Sequence, residues 1–125
     1  MKEQIVSKEA PAAIGAYSQA IKKGDMIFTS GQIPIDPETS EMVEKDIEKQ
    51  TVQVMENLKY VLKEAGSSFD KVIKATIFLS DLNNFSKVND IYKEYFSNIP
   101  PARACVEVSK LPKDSLVEIE VIAFE

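Results

Sequence analysis

Asp46-Ile47-Glu48-Lys49-Gln50-Thr51-Val52-Gln53-Val54-Met55-Glu56-Asn57-Leu58-Lys59-Tyr60-Val61-Leu62-Lys63-Glu64-Ala65-Gly66, with the β-branched run Val72–Leu79 close behind it, sets the architecture of this chain. Ile47, Thr51, Val54, Met55, Leu58, Val61, Leu62 and Ala65 recur at helical spacing and form one stripe. Asp46 stands where an N-cap belongs, and Gly66 ends the run because glycine accepts the left-handed backbone of a helix stop. The pattern predicts a helix from about Asp46 to Ala65, with Val72–Leu79 as a buried strand beside it.

Outward from this core, the same signals repeat. Asp81-Leu82-Asn83 precedes a second, shorter helix with Phe85, Val88, Ile91, Tyr92, Tyr95 and Phe96 on its inner side. Asn98-Ile99-Pro100-Pro101 ends that helix, because proline cannot continue it. Two strands, Ala102–Val108 and Val117–Phe124, close the chain. Upstream, Tyr17–Lys22 and Met26–Ser30 flank Lys23-Gly24-Asp25 as a hairpin, and Asp36-Pro37-Glu38-Thr39-Ser40 reads as a loop. The order is β-β-α-β-α-β-β, and no linker or repeat divides residues 1–125: one α+β domain of a sheet and two helices. Right-handed crossovers place both helices on one face of the sheet. The other face reads as half apolar, because Ile122 and Phe124 share a strand face with Glu118 and Glu120, opposite Val117, Ile119, Val121 and Ala123. A half-apolar uncovered face predicts oligomerisation.

Composition narrows the function. Of the 125 residues 44% are hydrophobic, enough for a real core, and the formal net charge is -5. An acidic surface without a Lys/Arg run disfavours nucleic acid as the main partner. The chain has no His, which excludes a Ser-His-Asp triad, and with a single Cys it lacks the usual zinc ligands. The lone Cys105 forms no internal disulfide and suits a reducing compartment. Neither a secretory h-region nor a membrane-length apolar run is present, so a cytoplasmic protein without a membrane association is expected.

Few side chains remain for chemistry. Arg103 sits in a strand whose Ala102, Ala104, Val106 and Val108 form an apolar face while Arg103, Cys105 and Glu107 point the other way. Its planar fork suits a small carboxylate ligand, although an ion pair with one of the many acidic side chains explains it as well. Glu118 and Glu120 share a strand face; paired carboxylates can divide acid and base roles, or simply form a charged edge. Cys105 has no His to activate it and reads as a small core or interface residue. Ser30-Gly31 leaves backbone N–H groups and a hydroxyl for a ligand, or makes an ordinary turn. Tyr17 ends in a phenol seeking a protein or ligand partner, and Asn89 is by itself a solvated helix residue.

Larger blocks carry a resemblance. Ala10-Pro11-Ala12-Ala13-Ile14-Gly15-Ala16-Tyr17-Ser18-Gln19-Ala20, Phe28-Thr29-Ser30-Gly31-Gln32-Ile33-Pro34, Pro101-Ala102-Arg103-Ala104-Cys105-Val106-Glu107-Val108, Leu111-Pro112-Lys113-Asp114 and Val117-Glu118-Ile119-Glu120 resemble, in order, the signature blocks of the RidA (reactive intermediate deaminase A) family. The resemblance covers essentially the whole chain. It implies a chorismate-mutase-like α+β subunit in a homotrimer with ligand sites between subunits. It implies hydrolysis of 2-iminopropanoate and 2-iminobutanoate, released by pyridoxal-phosphate-dependent dehydratases, with no cofactor and no metal. The family's carboxylate-binding arginine falls on Arg103 and its water-directing glutamate on Glu118. Tyr17, Ser30, Gly31, Asn89 and Cys105 match pocket positions, Cys105 through its backbone. Two departures stand out: Ala16 replaces a common proline in the loop carrying Tyr17, and Ala104 replaces a frequent serine, where its side chain is expected to face the core.

The implied chemistry is within reach of these residues. A protonated C=N is already electrophilic, so attack by water needs orientation and a modest base. A non-catalytic trimer sensing keto or amino acids would need Arg103 but not Glu118. A ribonuclease or translation inhibitor, activities also attributed to relatives, fits poorly with the missing His and the negative charge.

Overall fold

The computed structural model describes residues 1–125. Its long helix, α1 (Ile47–Glu64), starts and stops where the sequence signals lie: the Asp46 carboxylate accepts the Lys49 N–H at 2.9 Å, and Gly66 takes φ 80° just past the end. The strands are β1 (Glu3–Ile5), β2 (Ala20–Lys23), β3 (Met26–Thr29), β4 (Ile35–Asp36), β5 (Glu41–Met42), β6 (Val72–Leu79), β7 (Ala102–Glu107) and β8 (Val117–Phe124), and the second helix is α2 (Phe85–Tyr92). Six strands form one sheet in the order β1-β2-β3-β8-β6-β7, in which only β6 and β7 run parallel. β4 and β5 make a separate two-stranded ribbon whose connecting turn is the loop expected at Asp36–Ser40. That ribbon and β1 leave no signal in the sequence, because two- and three-residue strands are too short to show alternation.

Both helices lie on the same face of the sheet and pack against each other, with α1 also on β8. Val54, Met55, Leu58, Val61 and Leu62 of α1, Val88 of α2, and Ile27, Ala75, Ile77, Leu79, Val117 and Ile119 of the sheet are fully buried between these layers. α2 ends sooner than the aromatic spacing suggests. After Tyr92 the chain tightens into a 3₁₀ turn over Lys93–Tyr95 and then extends at Phe96, which stacks Phe69, Tyr92, Tyr95 and Phe96 at centroid distances of 4.8–5.4 Å.

The opposite face of the sheet is bare. Phe28, Ile122 and Lys74 line up across it, then Glu120, Thr76 and Ala104, then Glu118, Phe78 and Val106. Phe28, Val106 and Phe124 are each about 40% exposed there, as a half-apolar uncovered face requires. One expectation is inverted. Ala104 lies on this bare face, level with Thr76, and it is Arg103 and Cys105 that face the helices. The alternation along β7 holds, but β7 is an edge strand. Its helix side is met by the aromatic rings of α2, which accept a stacked guanidinium and leave the alanines facing out.

Candidate functional site

Arg103 is held from one side by α2. Its Nη1 donates to Asn89 Oδ1 at 2.7 Å, and its Cζ lies 5.1 Å from the ring centroids of both Phe85 and Tyr92. Arg103, Asn89 and Tyr92 line a cleft of about 510 Å³ with Lys93, Phe96 and Asn98. The guanidinium has no carboxylate partner, which removes the ion-pair explanation within one subunit. Cys105 lies next on the same strand face; burial pushes its thiol up, against the pull of Arg103, which disfavours the nucleophilic thiolate. Its backbone is better placed than its sulfur. Val108 N–H donates inward to Leu79 O, so by alternation the N–H and C=O of Cys105 point out along the free edge of β7.

Glu118 sits at the other side of the sheet, on the bare face. Its carboxylate packs against Gly31: a Cβ built there would fall 2.0 Å from Glu118 Oε2. Burial, and then the neighbouring charge of Glu120, raise the Glu118 pKa above the ordinary carboxylate range. No salt bridge in the subunit includes it. Tyr17 joins this half, half-exposed and lining a cavity of about 300 Å³ with Gly31, Gln32, Ile33 and Lys113. Ser30 differs from expectation. Its N–H donates to Gln19 O at 2.9 Å and its hydroxyl to Ser18 O at 2.6 Å, so neither donor is free and the residue anchors the Tyr17 loop. The N–H of Gly31, by contrast, enters no backbone hydrogen bond.

The seven residues therefore form two groups, Arg103-Asn89-Cys105 and Glu118-Gly31-Tyr17-Ser30. Arg103 and Val121 both align with Ala75 across β6, so Arg103 and Glu118 are two strands and three residues apart. That is roughly 14 Å between Cα atoms, on opposite sheet faces. Three contributors escaped the sequence reading. Phe85 and Tyr92 read as core aromatics at helical spacing. Gln19 is buried, its Oε1 accepting the Ser7 N–H at 2.6 Å and its Nε2 donating to the carbonyls of Ser7, Ala10 and Pro11. A glutamine amid alanines next to Tyr17 was the available signal. No three His, Cys, Asp or Glu side chains converge as a metal site would need.

The profile of the family described as Endoribonuclease L-PSP matches residues 7–125. The chain belongs to this family, the YjgF/RidA group. Among solved members, a Rid-family protein, YyfA of Yersinia pestis, is 56% identical, superposes with a TM-score of 0.99 and is matched over 100% of both chains. The Escherichia coli family member TdcF, solved with bound serine, is 42% identical at a TM-score of 0.92, over 98% of each chain. The 2-iminobutanoate/2-iminopropanoate deaminase of Salmonella typhimurium is 45% identical over 126 residues, 98% of each chain. The fold is thus the Rid fold, and the family includes imine deaminases. No helix is long and apolar enough to cross a membrane.

Proposed function

We propose that this protein is an imine deaminase that hydrolyses 2-iminopropanoate and 2-iminobutanoate to the 2-keto acids and ammonia, without a cofactor, in the cytoplasm. The observation that carries the reading is the Glu118 carboxylate: raised in pKa, free of any salt bridge and seated against Gly31. A raised pKa suits a group that must both accept and return a proton. The relative from Salmonella typhimurium named for this activity, and the serine bound to TdcF, support a small ligand with an amino-acid carboxylate.

An imino acid of this size cannot reach both Arg103 and Glu118 of one subunit. In our reading the working unit is a homotrimer, with its three sites between subunits. Each joins Arg103, Asn89 and the Cys105 backbone of one copy to Glu118, Gly31 and Tyr17 of the next, with Ser30 anchoring the loop that carries Tyr17. The bare sheet face supplies the apolar surface for assembly. Arg103 grips the carboxylate in bidentate geometry. Glu118 takes a proton as water attacks C2 of the protonated imine, giving a carbinolamine. It returns the proton to nitrogen, ammonia leaves, and the C2–OH becomes the keto oxygen as its proton is lost. Such a role protects the cell from reactive enamines and imines.

A sensing trimer without turnover would make Glu118 dispensable, and the acidic surface weighs against RNA cleavage. The deciding assay generates 2-iminopropanoate in situ and follows its loss. The wild type is expected to accelerate that loss and Arg103→Ala to abolish it, with pyruvate binding lost as well. Loss at the uncatalysed rate with wild-type protein would refute the proposal.

A further inference from the structure

We propose that Phe85 and Tyr92, with Asn89 between them, are positioning residues that hold the Arg103 guanidinium in one plane for the carboxylate of the substrate. This rests on the deaminase reading for the ligand, but the holding of the guanidinium stands on geometry alone. Phe85, Asn89 and Tyr92 are at i, i+4 and i+7 of α2, on one face of the helix. Positions seven apart are separated by roughly 10 Å along a helix axis. Arg103 Cζ is 5.1 Å from each ring centroid, so the guanidinium is equidistant from the two rings. Asn89, midway along the same stripe, accepts one N–H at 2.7 Å.

Each partner removes a different freedom. The two rings oppose tilting of the guanidinium, because a cation over a π-face loses attraction as it leaves that face. Asn89 opposes rotation within the plane. The remaining N–H donors are then presented in a fixed fork, the geometry a planar carboxylate needs. The Tyr92 ring is itself braced by Phe96 at 4.8 Å, while its hydroxyl is buried without a hydrogen-bond partner. What Tyr92 contributes is therefore its ring, and phenylalanine should serve equally.

The test uses the assembled full-length protein with pyruvate as probe. Calorimetry should show the pyruvate Kd raised about tenfold, ~1.4 kcal/mol, in Phe85→Leu and in Tyr92→Leu. Tyr92→Phe, which keeps the π-face, should stay within about twofold of wild type. In imine hydrolysis the leucine variants should raise KM far more than they lower kcat, the mark of lost ground-state binding. Nitrogen-resolved NMR of Arg103 should show slow rotation about Nε–Cζ in wild type and faster rotation in both leucine variants. Tyr92 is buried, so if Tyr92→Leu fails to fold, the half-buried Phe85→Leu decides. Leucine variants that keep wild-type Kd and slow guanidinium rotation would overturn the proposal. Wild-type protein that binds no pyruvate would instead contradict the deaminase reading, and the NMR comparison, which needs no ligand, would still support or overturn the cradle.

Discussion

The carboxylate of Glu118 occupies the space that any side chain at residue 31 would need: a Cβ on Gly31 would lie 2.0 Å from Glu118 Oε2 and 2.8 Å from its Cδ. The glycine is required here for the close approach of a neighbouring side chain, with no left-handed backbone involved. Glu118 thereby packs against Gly31, whose N–H, unlike that of Ser30, enters no backbone hydrogen bond.

Gly31→Ala should accordingly separate activity from stability. The clash falls on the far end of a flexible side chain, which can swing away at a small cost, so the melting temperature should move by only a few degrees. The displaced carboxylate no longer meets the substrate water, and turnover should fall by roughly a hundredfold, as for removal of a positioned base. Thermal melts and imine hydrolysis on the same sample check both. A stable Gly31→Ala protein with full turnover would show that the position of Glu118 is irrelevant.

The raised pKa of Glu118 makes two pH predictions. As the proposed base it must be ionised, so the acid limb of kcat/KM should lie above the ordinary carboxylate range. Glu120→Gln should move that limb to lower pH, because one of the two causes of the shift is removed. For stability the sign is opposite to that of a salt-bridged carboxylate. Between the ordinary and the raised value the folded state binds more protons than the unfolded state, so stability falls as pH rises through that window. Glu118→Gln should lose this pH dependence, and be at least as stable as wild type near neutrality. An acid limb unmoved by Glu120→Gln would assign it to another group.

Gln19 ties down the loop that carries Tyr17. Gln19→Leu leaves the Ser7 N–H and the carbonyls of Ser7, Ala10 and Pro11 without their partner, at a cost of roughly 2–3 kcal/mol. Urea unfolding should report that loss, and hydrogen exchange should rise over residues 7–19. Protection unchanged in this segment would place the loop's support elsewhere, in the two Ser30 hydrogen bonds.

The fold was legible wherever one period ran long enough. α1, β6 and β8 appear at their expected places because each presents a long apolar set to the same layer. The site was legible by residue type and blurred by direction. Alternation along β7 put Arg103 and Ala104 on opposite faces but could not say which was inside. That depends on α2 offering aromatic rings to a cation, a contact made across the fold. The two readings of Ser30 are separated only by the fold: its donors are consumed by Gln19 and Ser18, which meet it when β2 pairs with β3. No single-strand pattern carries that information.

If Arg103 of one subunit and Glu118 of another complete one site, mixing subunits should restore activity that neither variant has alone. Arg103→Ala and Glu118→Gln proteins, each inactive alone, are unfolded together in equal amounts and refolded into mixed trimers. Sites that draw the two residues from different copies regain an intact pair in every mixed trimer, so roughly a quarter of wild-type imine hydrolysis should return for random cyclic assembly. A refolded mixture of assembled trimers with no activity above that of the separate variants would contradict the shared site.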